Sequence, residues 1–345
     1  MKAANLSKAV AVLMLAAHIQ VFAQQPSVSA AELPIADVHF HYMAFMKAED
    51  LRARMDKHNV RWVVSAGAQG MGGGTGAATA GKNPWMRDSD LKHELKDRFV
   101  AAVGGPETFQ GERRDGTAYY TDPGNLWAID SIRRMNDLLK SDRRSFVEFF
   151  PNAENSSLEP MRRRRLPTNA PFFKEVMKLA VAHNVPVPMH MEWHSESVAQ
   201  LGELLTEFPQ GVVILSHCGK ITVADDIRPF FQKYSNVYCD LGYRSSPQGD
   251  GESRKDPRRL IYWSSGLLRK ADINPGWLKL VEDFPDRFML AIDDVLSWEQ
   301  YDQVVTATRE AVLAKLTPTT AEKVAYKNAL RVFGLPSESI TNNMN

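Results

Sequence analysis

Eight short apolar runs, separated by stretches of helical spacing, limit this chain's fold more than any other feature. They cover residues 35–41, 61–67, 98–104, 145–150, 185–191, 211–219, 236–241 and 287–294. Most are rich in Val or Phe and short, as parallel strands covered by helices on their outer face are. Helices are predicted at 47–58, 124–140, 170–183, 195–208, 222–234, 274–283, 298–315 and 319–333. The last opens on Thr319 with Glu322 three residues on, the spacing of a capping box. Alternation on this scale predicts an α/β chain folded as a distorted (β/α)8 TIM barrel, with a doubly wound sheet as the alternative. The segments 68–96 and 105–123 show no clear helix and read as loops, as does 242–260.

Composition narrows the class of function. Of 345 residues, 44% are hydrophobic and 24% charged, which excludes a disordered, collagenous or multi-span membrane chain. Lys plus Arg is 42 against 41 Asp plus Glu, so no global positive field draws nucleic acid. Lys2 and Lys8 precede an apolar stretch too short to span a membrane, and Val21-Phe22-Ala23 offers a cleavage site. The expected organisation is a cleaved signal peptide at 1–23, a leader at 24–34, one catalytic domain at 35–335 and a tail at 336–345. That places the chain in the periplasm or outside the cell. Pairing of Cys218 with Cys239 is left open, leaning against a disulfide, because a core of this size holds without one.

Ionisable residues interrupt the apolar runs at their ends. Strict alternation along Asp37-Val38-His39-Phe40-His41 puts Asp37, His39 and His41 on one face. Three further runs stop on His190, His217 and Asp293. Buried Asp and His without partners are costly, so repeated placement at strand ends points to a shared metal ion.

These residues carry a resemblance. Asp-Val-His-Phe-His from Asp37, Leu-Ser-His-Cys-Gly around His217, the Asp293 strand and the tail Asn328-Ala329-Leu330-Arg331-Val332-Phe333-Gly334-Leu335 resemble the amidohydrolase superfamily. The nearer likeness is to its amidohydrolase-2 branch, with decarboxylases and lactone hydrolases related to aminocarboxymuconate-semialdehyde decarboxylase, over about residues 35–335. The resemblance implies that His39, His41, His190 and Asp293 hold the ion, and that His217 and Asp293 are catalytic. Zn²⁺ is expected, with Mn²⁺ or another first-row divalent ion as the alternative, and one ion is favoured over two. In two-metal members of the superfamily a fourth-strand Lys or Glu bridges the ions; Glu148 occupies that strand and is the candidate bridge. This chain departs from the family's usual Gly-Ser-Asp or Gly-Thr-Asp with Ala291-Ile292-Asp293-Asp294, and Asp293 remains the choice.

Glu192 and His194, just past the fifth run, are candidates for substrate contact, as are Arg87 and Arg244, whose guanidinium groups suit a carboxylate. The stretch from Gly76 to Asn83 falls short of a phosphate-binding loop because Asn83 replaces the required hydroxyl. Arg162 to Arg165 read as a solvated face, and no nucleophile elbow is present. The expected activity is metal-dependent hydrolysis of a small lactone, ester or amide carrying a carboxylate. The alternatives are a metal-dependent decarboxylase or lyase of an unsaturated acid, and a binding barrel without catalysis. A small molecule is the expected partner, with no nucleic acid and no stable membrane span; a homodimer is left open.

Overall fold

The apolar runs become strands whose outer faces are packed under helices. The computed structural model of the chain describes residues 29–43, 45–68, 88–155, 163–242, 256–263, 271–293 and 295–336. In chain order its strands are β1 (Ile35–Tyr42), β2 (Val60–Ala68), β3 (Phe99–Val100), β4 (Ala102–Val103), β5 (Ser145–Phe146), β6 (Phe149–Asn152), β7 (Val187–Glu192), β8 (Val213–Lys220), β9 (Val237–Asp240), β10 (Ile261–Trp263), β11 (Ala271–Ile273) and β12 (Phe288–Met289). β10 and β11 form an antiparallel pair; the other described ladders are parallel.

The remaining strands make the eight staves of a distorted TIM barrel. β3 with β4 is one stave interrupted at Ala101, and β5 with β6 is another interrupted at Val147 and Glu148. Sheet order runs β1-β2-β3, then β4-β5, then β6-β7-β8-β9-β12. Backbone bonds outside the ladders close the ring: Val38 N–H donates to the Leu290 carbonyl at 3.1 Å, and Asp293 N–H to the His39 carbonyl at 3.0 Å.

Two apolar layers follow from the alternation of side chains. An outer layer packs strands against helices and includes Val213, Leu215, Cys218, Val237, Cys239 and Phe288. An inner cluster gathers Ala36, Val38, Trp62, Val64, Ile214, Tyr238, Met289 and Ala291 over Ala329 and Phe333 of the last helix and Leu335 just beyond it. The inner cluster fills one end of the barrel and leaves the strands' C-terminal ends to polar residues.

Local structure corrects several expectations. Helices occupy Asp88–Leu95 and Gly105–Asp115, inside the segments expected as loops. The capping box at Thr319 is absent: Pro318 takes the first helical position after Thr317, and Glu322 pairs with Lys327 instead. Cys218 and Cys239 form a disulfide with Cα atoms 4.5 Å apart, against the leaning of the sequence. Arg164 pairs with Glu112 and Arg165 with Glu154, so these members of the basic run are engaged locally. Among the described residues no helix is long and apolar enough to cross a membrane. The expected signal, the glycine-rich stretch 76–83, Arg87 and Arg244 lie outside the described residues.

At the periphery, Asp302 on the helix Trp298–Ala307 gathers three basic groups from the region of the helix Ala48–Lys57. Arg54 and Lys57 pair with one carboxylate oxygen, Lys57 at 2.7 Å, and His58 Nε2 lies 2.7 Å from the other.

Candidate metal centre

The site forms where two strands break their own alternation. In β1, Ala36 and Val38 face the inner cluster while Phe40 and Tyr42 face the outer one. The ladder to β2 shifts register between Asp37 and Phe40, so one extra residue in β1 swaps the two faces. His39 and His41 therefore turn inward. Asp37, expected beside them, lines a small outer cavity with Val305 and Thr308 of the neighbouring helix, and accepts from the Ile292 and His39 N–H groups. Burial pushes its carboxyl up to about 7.

β8 breaks in the same way. Ile214 faces in and Leu215 out, yet Cys218 also faces out. His217 and Cys218 adopt left-handed φ values of 56° and 54°, and the flip aims His217 into the barrel. Asp293 carries φ 67° at the end of the last stave. Non-glycine residues in this region are strained and gather at functional sites.

The resulting cluster is buried. His39 Nδ1 lies 3.0 Å from Asp240 Oδ2, and His41 Nδ1 lies 2.9 Å from the Gly67 carbonyl. Carboxylate and carbonyl oxygens only accept here, so each Nδ1 carries a proton and each Nε2 is the ring atom presented to the site. Those two Nε2 atoms stand 2.9 Å apart. Glu148 Oε2 is 3.4 Å from the first and 3.2 Å from the second; Asp293 Oδ1 is 3.6 Å and 3.8 Å from them. Four potential ligand atoms thus converge on one point. A shared proton relieves one such edge, whereas a metal ion relieves them all.

The spacing fits an ion. Ligands at about 2.0–2.2 Å in a tetrahedron are separated by roughly 3.3–3.6 Å, and the five edges given above, 2.9 to 3.8 Å, straddle that range. Electrostatics agree: burial alone would push His39 down, but Glu148, Asp240 and Asp293 together raise it well above its ordinary value. The same anionic field favours a cation at this point.

Glu148 sits between two groups of imidazoles. Its Oε2 faces His39 and His41, while Oε1 lies 3.2 Å from His190 Nδ1 and 3.5 Å from His217 Nε2. Burial would raise its carboxyl, but the His39 charge and hydrogen bonds from His190, His217 and His39 hold it well below the usual range. Of the expected set, His39, His41 and Asp293 come together directly. His190, stacked on Phe150, stands across the Glu148 carboxylate from them. His217 Nδ1 is 3.3 Å from the Gly242 carbonyl and 3.5 Å from Asp293 Oδ2. Burial pushes His217 down to about 3, with His190 and His39 adding to the effect against Glu148, so its ring is neutral at neutral pH.

Glu192 and His194 belong to a separate group. Glu192 accepts from Asn155 N–H at 2.6 Å and Asn155 Nδ2 at 2.8 Å, with His194 Nε2 3.1 Å away and Glu154 nearby. The residue the sequence reading missed is Asp240. Its Oδ1 accepts from the His217 and Gly242 N–H groups, both at 3.0 Å, and its Oδ2 fixes the His39 tautomer. The signal was present, since β9 is another apolar run that stops on a carboxylate.

The amidohydrolase family model matches residues 148–335. The fold is similar to an uncharacterized TIM-barrel protein from Bordetella bronchiseptica, at 13% identity and TM-score 0.53 over 88% of this chain and 99% of that one. It is also similar to 5-carboxyvanillate decarboxylase from Novosphingobium aromaticivorans, solved with manganese and 4-hydroxy-3-methoxy-5-nitrobenzoic acid, at 12% identity and TM-score 0.52 over 88% and 96% of the two chains. A 2,6-dihydroxybenzoate decarboxylase complexed with 2,6-dihydroxybenzoate aligns at 12% identity and TM-score 0.50 over 88% and 99%. At these identities the likeness establishes the fold. No curated protein matches the chain.

Proposed function

We propose, from the premise that this chain belongs to the amidohydrolase family, that it is a divalent-metal-dependent lyase removing CO₂ from a small unsaturated or aromatic carboxylic acid. The observation that carries the metal-dependent reading is the pair of Nε2 atoms of His39 and His41 held 2.9 Å apart, with Glu148 and Asp293 oxygens beside both. The similar folds named above that are decarboxylases support CO₂ release over the other reactions of such a site.

In this reading His39, His41, Glu148 and Asp293 hold the ion, with His190 backing Glu148. The ion, when bound, supplies Lewis-acid polarisation of the substrate's oxygens; Mn²⁺ is the first candidate and Zn²⁺ the second. Asp240 and the Gly67 carbonyl keep both imidazoles in the tautomer that presents Nε2 inward. As the carboxylate leaves as CO₂, the electrons of the broken C–C bond stay on carbon, which takes a proton in its place. His217, neutral and within reach of Asp293, delivers to that carbon a proton taken up from solvent, so that the net change is loss of CO₂ and gain of one solvent proton. Glu192 and His194 contact the substrate from their own cluster, and Arg87 and Arg244 are the proposed partners for a second anionic group.

A hydrolytic reading is favoured by one feature, the placing of Glu148 between two groups of histidines. Glu148, His190 and His217 would hold a second ion, which would supply activation of water for attack on a lactone, ester or amide. Export to an oxidising compartment is part of the proposal, and the Cys218–Cys239 disulfide supports it.

The deciding experiment incubates the Mn²⁺-loaded and Zn²⁺-loaded protein with hydroxylated benzoates, unsaturated acids and carboxylated lactones, following CO₂ release and base uptake separately. CO₂ from an acid, abolished by chelator and restored by metal, is expected. Base uptake with a lactone and no CO₂ from any acid would move the assignment to hydrolysis.

A further inference from the structure

We infer that the Cys218–Cys239 disulfide and the Asp240 carboxylate form a two-sided clamp that positions His217 for the reaction. The inference rests on the role proposed for His217, and it assigns both cysteines as positioning residues.

The β8–β9 ladder ends at the pair Leu215 and Cys239, two residues before His217. Beyond that point side chains link the two strand ends. On the inner side, Asp240 Oδ1 accepts the His217 N–H at 3.0 Å. On the outer side, Cys218 is bonded to Cys239, and both are fully buried. The two links flank His217 from consecutive residues of each strand. Between them lies the left-handed pair His217 and Cys218, the turn that swaps β8's faces. An L-residue pair in this conformation reverts toward extended backbone when it is not held. Reversion would restore strict alternation and send the imidazole outward, away from Glu148 and Asp293. The disulfide therefore fixes an orientation that the backbone alone disfavours.

The test compares the wild type with two double variants, Cys218→Gly with Cys239→Ala, and Cys218→Ala with Cys239→Ala, all loaded with Mn²⁺. Glycine accepts left-handed φ without strain, so the first variant loses the clamp and the strain at 218 while keeping that at His217; the second loses the clamp and keeps both. Amide hydrogen exchange at His217 and Leu215 is read without substrate, beside metal content, kcat and KM. Expected are unchanged Leu215 protection, metal content and KM, with His217 exchange at least about ten-fold faster. kcat should fall about ten-fold or more in the Cys218→Ala form and less in the Cys218→Gly form. His217 exchange and kcat equal to wild type in both variants would overturn the inference. So would loss of fold or metal in both, which would make the disulfide a staple of the barrel. Faster His217 exchange with unchanged kcat upholds the clamp and overturns the role of His217 in the reaction proposed above.

Discussion

Around Asp302 one carboxylate meets Arg54, Lys57 and His58 where two helices adjoin, partly open to solvent; around Glu148 the carboxylates of Asp240 and Asp293 join four imidazoles with almost no solvent. The first group balances its own charge with fixed cations and needs nothing further. The second is rich in acceptors, and its histidines are already committed as donors through Nδ1 in His39 and His41. A buried set of acceptors without a fixed cation is expensive as structure alone. The same residue types thus stabilise at the edge and wait for a ligand at the centre, and burial with fixed tautomers separates the two.

Breaking the centre should have the largest effect. His41→Ala or Glu148→Gln is expected to cut metal content to near zero and turnover by about a hundred-fold or more, measured by elemental analysis and product formation. Retention of full metal content in both would show that the ion sits elsewhere. Next in size is the ion's contribution to stability. Adding Mn²⁺ at about 100 times its Kd to chelated protein should stabilise it by about 2.7 kcal/mol, or roughly 4 °C in Tm for a chain of this length. Calorimetry checks this, and the increment should be lost in His41→Ala and unchanged in Asp302→Asn.

Asp240→Asn comes third. It keeps an acceptor for the backbone donors but weakens the hold on His39, and metal affinity should fall about 10–100-fold by titration while the fold persists. The smallest effect sharpens the comparison from the other side. Asp302→Asn should cost about 1 kcal/mol, a Tm loss of roughly 1–2 °C, with metal content and kcat unchanged. Despite some burial, Lys57 and His58 hydrogen bonds and the nearby charges hold the Asp302 carboxyl below its ordinary value. Its contribution is therefore present above about pH 4 and is lost as pH falls through the folded value, so the gap between variant and wild type should close in acid melts. A gap that widened in acid would contradict the assignment.

The stave pattern was legible because covered strands declare themselves as apolar runs, and each of the eight contains strand here. The residue types gathered at the site were legible because His190, His217 and Asp293 end such runs. Their directions were not. Alternation put Asp37 with His39 and His41, but a one-residue shift in β1 sends Asp37 outward, and sequence carries no mark of a bulge that tertiary closure imposes. His217 gains its inward aim from a left-handed turn at two residues that ordinarily avoid it, held by a disulfide whose geometry only the fold supplies. The central place of Glu148 emerges from a break in its own stave, where its N–H donates to the Ala66 carbonyl of β2.

The most direct test is anomalous diffraction at the manganese edge from crystals of the chain grown with Mn²⁺. A peak within about 2.0–2.3 Å of His39 Nε2, His41 Nε2 and Asp293 Oδ1, with Glu148 Oε2 beside it, is the predicted result. Clear density for these side chains with no peak among them, at a Mn²⁺ concentration that supports turnover, would contradict the account.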